Sequence, residues 1–144
     1  MDTKFSVALH ILTMISESKE RLTSQALADS VGTNASYIRK VIGLLKNSGL
    51  ISSSQGRVGY ELTRQPSDIS LLDVYYATQE VSQIKLFQVH QHANPECPVG
   101  QHIEGAISPV FHQAEQLLTK ELAGQSLADV IANLYKQAAK TQKV

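Results

Sequence analysis

The sequence predicts a mainly α-helical fold with one small β-hairpin, on three observations. Apolar residues recur at i, i+3, i+4 spacing through six segments of the chain. Between residues 50 and 64 that pattern gives way to short apolar runs around Gly56 and Gly59, the signature of a hairpin. A striped segment from Gln101 to Ala123 is longer than a small core needs for its own packing. The expected organisation is a head over residues 1–80, followed over residues 81–144 by a loop and assembly helices.

Composition sets the bounds. A chain of 144 residues with 42% hydrophobic and 18% charged residues is one globular domain, with room for an appended element. No apolar run approaches the ~20 residues needed to span a bilayer, so no membrane partner is expected. The opening MDTKFSVALH lacks a charged lead, a long apolar stretch and a small-residue cleavage site, and the expected compartment is the cytoplasm. One cysteine, Cys97, excludes an intramolecular disulfide and fits a reducing environment. The zero net charge hides an uneven distribution. Residues 1–64 hold eight Lys/Arg against five Asp/Glu, and residues 65–144 hold five against eight. A basic half joined to an acidic half suits a polyanion-binding head on a separate body.

The first element is a helix from Lys4 to Ser16, with Phe5, Ala8, Leu9, Leu12 and Ile15 on one face. Val7, Ile11 and Met14 widen its apolar arc. His10, within it, is expected to be hydrogen-bonded or partly exposed.

Thr23 to Leu45 divides into two short helical patterns around Gly32. Leu27, Ala28 and Val31 repeat in the first; Ile38, Val41, Ile42 and Leu45 repeat in the second. Gly32 tolerates the positive φ of a helix end, and Thr33 or Asn34 then offers an N-cap oxygen. Small Ala28 permits close approach while Ile38 and Val41 plug the space. This is the layout of a helix-turn-helix, whose second helix enters the DNA major groove. That helix carries donors and no acid on its outward face: Asn34, Ser36, Tyr37, Arg39, Lys40 and Lys46.

The hairpin follows at once. Leu50-Ile51 and Tyr60 to Thr63 read as strands, with Gly56-Arg57-Val58-Gly59 as the turn. A hairpin directly after a recognition helix is a wing. Ser53, Ser54, Gln55 and Arg57 at its tip are donors, beside glycines that allow close approach to phosphate. Candidate DNA contacts are therefore Ser24, Thr33, Asn34, Ser36, Tyr37, Arg39, Lys40, Lys46, Arg57 and Tyr60.

Gln65 to Asp68 is a turn, and Ser70 caps a helix from Leu71 to about Glu80 with Leu71, Val74, Tyr75 and Thr78 inward. Val81 to Val89 fits either helix or extended chain. Gln88 to Gly100 reads as loop. Along Gln101 to Ala123, the residues Ile103, Ile107, Val110, Ala114, Leu117 and Leu118 form one stripe, most simply buried against a second copy in a two-fold dimer. The alternative is packing on the chain's own first helix and the helix after Ser70. Pro109 either kinks this helix or marks its true first turn. Gly124 to Ser126 breaks it, and a last helix runs from Leu127 to about Ala138 with Leu127, Val130, Ile131 and Leu134 inward. A frayed tail is expected from Lys140.

With these residues in place, the chain resembles the Rrf2 family of winged-helix transcriptional regulators. The likeness runs through TKFSVALHIL, QALADSVGTNASYIRKVIGLLKNSGLI, QGRVGYELTRQP, DISLLDVYYATQE and the PECPVG loop. It is nearest to small members that lack an iron–sulfur cluster. The resemblance implies a homodimer, DNA contact through the second helix and wing, and action mostly as a repressor. Val58 stands where the family usually has the first of two glycines. Relatives that bind a cluster carry three cysteines before the long helix; here Cys97 stands alone. His90, His92, Cys97 and His102 count four formal donors, with His10 a fifth, but histidines in a polar loop are commonly solvated, and neither metal nor cofactor is expected.

Cys97, between Pro95 and Pro98 and just before a helix, is the sensor candidate: the helix dipole favours its thiolate, while Glu96 opposes it. An inert cysteine is the equal alternative. The sequence thus points to a regulator binding a palindromic operator on double-stranded DNA as a homodimer, its effector unidentified. The rival is a winged helix that binds a protein partner. No nucleophile–base spacing, phosphate loop or metalloprotease pattern suggests an enzyme.

Overall fold

A computed structural model describes residues 2–54 and 56–142. Six helices and one two-stranded antiparallel sheet follow in order: α1 (Lys4–Glu17), α2 (Ser24–Val31), α3 (Ala35–Asn47), β1 (Ile51–Ser52), β2 (Glu61–Leu62), α4 (Leu71–Gln79), α5 (Pro98–Ala123) and α6 (Leu127–Gln142). Among the described residues, no helix is long and apolar enough to cross a membrane. The mainly helical, winged helix-turn-helix class read from the sequence is the one observed.

The core forms where the apolar faces of α1, α2, α3 and α4 meet. Ala8, Ile11, Leu12, Leu27, Ala28, Ile38, Val41 and Leu45 are fully buried together. Each large side chain among them contributes about 1.5–3 kcal/mol on burial. The caps are the expected ones. Thr23 accepts from the Ala26 N–H at the start of α2, and Asn34 accepts from the Tyr37 N–H at 2.8 Å to start α3. Gly32 closes α2 at φ +85°, which permits the sharp turn between the two helices. His10 is exposed and its Nε2 lies 2.9 Å from Ser30 Oγ, tying α1 to α2.

The hairpin is shorter than its sequence suggests. β1 and β2 pair over two residues each, Ile51 with Leu62 and Ser52 with Glu61. Tyr60 falls outside because Gly59, at φ +95°, turns the chain away from the extended form. At the other end Thr63 closes the ladder through its N–H to the Leu50 carbonyl, and its hydroxyl to the Gly49 carbonyl at 2.5 Å. Gln55, named above as a tip donor, lies outside the described residues.

Ser70 and Asp73 form a reciprocal capping box that starts α4. The same stretch receives the far end of the chain. The Leu71 N–H donates to the Gln125 carbonyl, and the Leu127 N–H donates to the Ile69 carbonyl at 2.8 Å. Leu127 is fully buried in the head's core, so the last helix packs with the first eighty residues.

Residues 81–89 form neither helix nor strand and bend at residues 82–83, so the helical alternative the sequence left open is not taken. Glu115 of α5 holds them: its Oε2 accepts from the Leu86 N–H at 2.6 Å and the Phe87 N–H at 3.2 Å. The Phe87 and Phe111 rings meet at 5.0 Å. The long helix begins three residues earlier than expected. Pro98 sits at its first position, where a missing N–H costs nothing. Pro109 is interior rather than initial, so the bond to the Gly105 carbonyl is lost. The last helix runs past Ala138 to Gln142, and the tail expected to fray from Lys140 is helical through that residue. Leu134, expected inward, is 48% exposed, because the contact with α1 at that level is made instead by the neighbouring Tyr135, whose hydroxyl donates to Glu17 Oε1 at 2.5 Å.

Candidate nucleic-acid interface

Helix α3 has two sharply different faces. Ile38, Val41, Ile42 and Leu45 are buried, while Ser36, Arg39 and Lys40 are exposed. Spacing of i, i+3 and i+4 aligns those three on one side. Among the described residues the ion pairs are Lys4–Asp2, Arg21–Glu61 and Arg64–Asp73; none engages Arg39, Lys40, Lys46 or Arg57. Their charge is available to an outside anion.

The other predicted contacts divide by environment. Thr33 and Asn34 form the turn into α3, and Asn34 already spends its side-chain oxygen on the cap, leaving its amide nitrogen as donor. Tyr37 is half-buried and packs against the core. Lys46 Nζ donates to Ser53 Oγ at 2.9 Å and joins the end of α3 to the wing. Arg57 is exposed at the wing tip. Ser24 and Tyr60 are half-buried, their hydroxyl oxygens 3.1 Å apart.

That last contact belongs to a clamp that sequence reasoning missed. A Cβ at Gly59 would stand 2.6 Å from Arg21 Cβ and 3.1 Å from the Leu22 nitrogen, so the wing backbone rests directly on the segment entering α2. The close approach expected of this glycine is therefore to the chain itself. The Arg21 guanidinium pairs with Glu61 on β2. Glu61 lies forty residues from Arg21, a separation at which no local pattern links them.

Beyond the head, α5 has no buried residue. Val110, Ala114 and Leu117 of the predicted seam are exposed, Val110 by 62% and Leu117 by 71%; Ile103, Ile107 and Leu118 are half-buried. Cys97 is exposed and occupies the N-cap of α5. The backbone N–H groups of Gly100 and then Val99, in the first turn of α5, favour the thiolate and hold the thiol below its ordinary pKa.

The profile of the Rrf2 family, described as iron-dependent transcriptional regulators, matches residues 1–133. YwnA of Bacillus subtilis (strain 168), provisionally named an HTH-type transcriptional regulator, is 42% identical over 135 residues, covering 94% of this chain and 99% of YwnA. YffB of Lactococcus lactis subsp. lactis (strain IL1403), provisionally named in the same way, is 30% identical over 85% of this chain and 78% of its own length. A crystal structure provisionally described as a DNA-binding protein aligns with TM-score 0.72 and 39% identity over 89% of this chain and 98% of that one. CymR, the global cysteine regulator of B. subtilis, shares the fold at TM-score 0.70 and 19% identity over 92% of this chain and 95% of its own.

The iron in the family's description finds no matching donor set here. A cluster takes three or four thiolate or imidazole ligands. The chain has one cysteine, and among the described residues no three His, Cys, Asp or Glu side chains converge. The family's fold is present without residues that fit its metal. By profile, identity and architecture, the chain belongs to the Rrf2 family of transcriptional regulators and is a regulator rather than an enzyme.

Proposed function

We propose that this chain is a homodimeric, cytoplasmic repressor that binds a palindromic operator through α3 and the wing. The observation that carries the reading is the outward face of α3, where Ser36, Arg39 and Lys40 stand exposed, with no ion pair among the described residues, beside a wing fixed to the same helix. Ser36, Tyr37 and Arg39 are assigned to base edges or nearby phosphates, with Asn34 and Thr33 at the helix start. Lys40 and Lys46 take the backbone, and Arg57 takes the minor groove or its flanking phosphate. Ser24 and Tyr60 offer hydroxyls to phosphate where wing and α2 meet. The pairing of two such heads through the stripe Ile103, Ile107, Val110, Ala114, Leu117 and Leu118 supplies the two-fold symmetry of a palindromic site. Occupying that site excludes other proteins, which makes repression the direct consequence.

Cys97 is assigned as a redox switch. Its thiolate attacks a peroxide oxygen, an S–O bond forms as the O–O bond breaks, and hydroxide leaves to be protonated, giving a sulfenic acid at the start of α5. Condensation with the partner's thiol releases water and links the two helices. Footprinting of wild type and Cys97→Ser, with and without peroxide, tests this assignment; identical footprints in all four conditions overturn it.

The DNA assignment is tested on duplexes selected from a random pool by the wild-type chain. Arg39→Ala with Arg57→Ala should weaken binding by roughly a hundredfold or more and flatten the salt dependence, while sedimentation still reports a dimer. Wild-type affinity in that double variant would refute it.

A further inference from the structure

Between the C-terminal half of α4, residues 83–85 and α5 lies a cleft of about 410 Å³, within the size range of small-molecule sites. Its wall includes the half-buried ring of Tyr76 and the buried side chain of Ile84. The polar groups around it are unequal in charge. Lys85 and Lys120 bring ammonium groups and His112 an imidazole, against one acid, Glu115. Glu115 is already committed to the Leu86 and Phe87 N–H groups. Among the described residues no ion pair involves either lysine. With two lysines against one carboxylate, the cleft carries an excess of positive charge beside an apolar surface.

Position on the helix matters as much as charge. At about 100° per residue, His112, Gln116, Thr119 and Ala123 fall on the side of α5 roughly opposite Val110, Ala114 and Leu117, with Glu115 and Lys120 on its two flanks. The cleft is centred on a different face of α5 from the exposed apolar stripe. The cleft also touches α4, whose Val74 and Ala77 are built into the head's core. A ligand lodged there would bear on the head through α4 and on the long helix through α5.

We propose that this cleft is a ligand site for a compact organic carboxylate, the anion held between Lys85 and Lys120 and its apolar body against Tyr76 and Ile84. Nothing in this assignment requires the DNA contacts above, and it is tested without DNA. Sodium benzoate is titrated into the full chain and followed by amide nitrogen–proton correlation spectra, with benzyl alcohol as the neutral probe of similar shape. Benzoate should shift the amides of residues 83–85 and 115–120 saturably, and benzyl alcohol should not. Lys85→Gln with Lys120→Gln, both exposed positions, should leave the spectrum dispersed and weaken benzoate by about tenfold or more. Equal shifts from the two probes, unsaturable shifts, or unchanged benzoate affinity in the double variant would each overturn the proposal.

Discussion

The Ser24 and Tyr60 hydroxyl oxygens lie 3.1 Å apart, joining the first residue of α2 to the residue before β2. This contact makes the angle between wing and helix-turn-helix a property of the folded head. Tyr60→Phe and Ser24→Ala should each cost about 1 kcal/mol in urea unfolding, and the double variant should cost less than their sum, because either substitution alone already removes the bond. Strict additivity in that cycle would show that the two hydroxyls do not interact in solution.

Gly59 supports the same clamp through backbone. Its φ of +95° and the 2.6 Å separation from Arg21 Cβ to any added Cβ leave no room for a side chain. Gly59→Ala should destabilise the head by about 2–4 kcal/mol, the strain of the dihedral adding to the overlap. If the wing lifts away to relieve the clash, DNA affinity falls as well. Thermal unfolding indistinguishable from wild type would contradict the placement of the wing on Arg21.

Much of this head was legible because its signals are local. Thr23, Gly32 and Asn34 announce their caps and turn within a few residues, and Ile38, Val41, Ile42 and Leu45 mark the buried face of α3 by period alone. What could not be read depends on partners far along the chain. Residues 81–89 have mixed apolar spacing, and their non-helical path is held at Leu86 and Phe87 by Glu115, far along the chain on α5. Arg21 and Glu61 look like ordinary surface charges until the hairpin folds back. The start of α5 was missed for a different reason. Two prolines and a glycine around Cys97 read as loop, yet Pro98 at a helix's first position is compatible with the helix it opens. Of the candidate DNA contacts, residue type identified the exposed cations Arg39, Lys40 and Arg57, and Asn34 caps α3 as one of the two residues offered for it, but the pairing of Ser24 with Tyr60 appears only in the folded chain.

The Glu115 contact carries its own prediction. One carboxylate oxygen accepts both the Leu86 and Phe87 N–H groups, the shorter at 2.6 Å. Glu115→Ala removes both acceptors and should raise amide exchange at residues 86 and 87 by about tenfold or more, with a stability loss of about 1–3 kcal/mol. The amides of α1 to α3 should exchange as before. Protection at 86 and 87 that survives the substitution would mean another group holds the segment.

The tether between α1 and α6 gives a pH signature with a definite sign. Tyr135 donates to Glu17 Oε1 at 2.5 Å. The Tyr135 hydrogen bond, followed by that from Ser16, holds the Glu17 carboxyl below its ordinary pKa. The carboxylate in turn holds the Tyr135 phenol above its own. A depressed carboxyl stabilises the fold above its unfolded pKa and loses that contribution as pH falls through the folded one. A raised phenol does the reverse: its contribution is complete below the unfolded pKa and is lost as pH rises. The tether is therefore whole from about pH 5 to about pH 9 and weakens on both sides. Tyr135→Phe should lower the melting temperature within that window and converge on wild type outside it, most visibly on the acid side, where Glu17 loses its charge before the core residues are affected. Glu17→Gln should remove the acid limb and leave the Tyr135 proton near its ordinary affinity. A wild-type minus Tyr135→Phe difference that stays flat from acid to alkaline pH would place the hydrogen bond outside the solution structure and leave Ile131 and Leu127 as the contacts that dock α6 on the head.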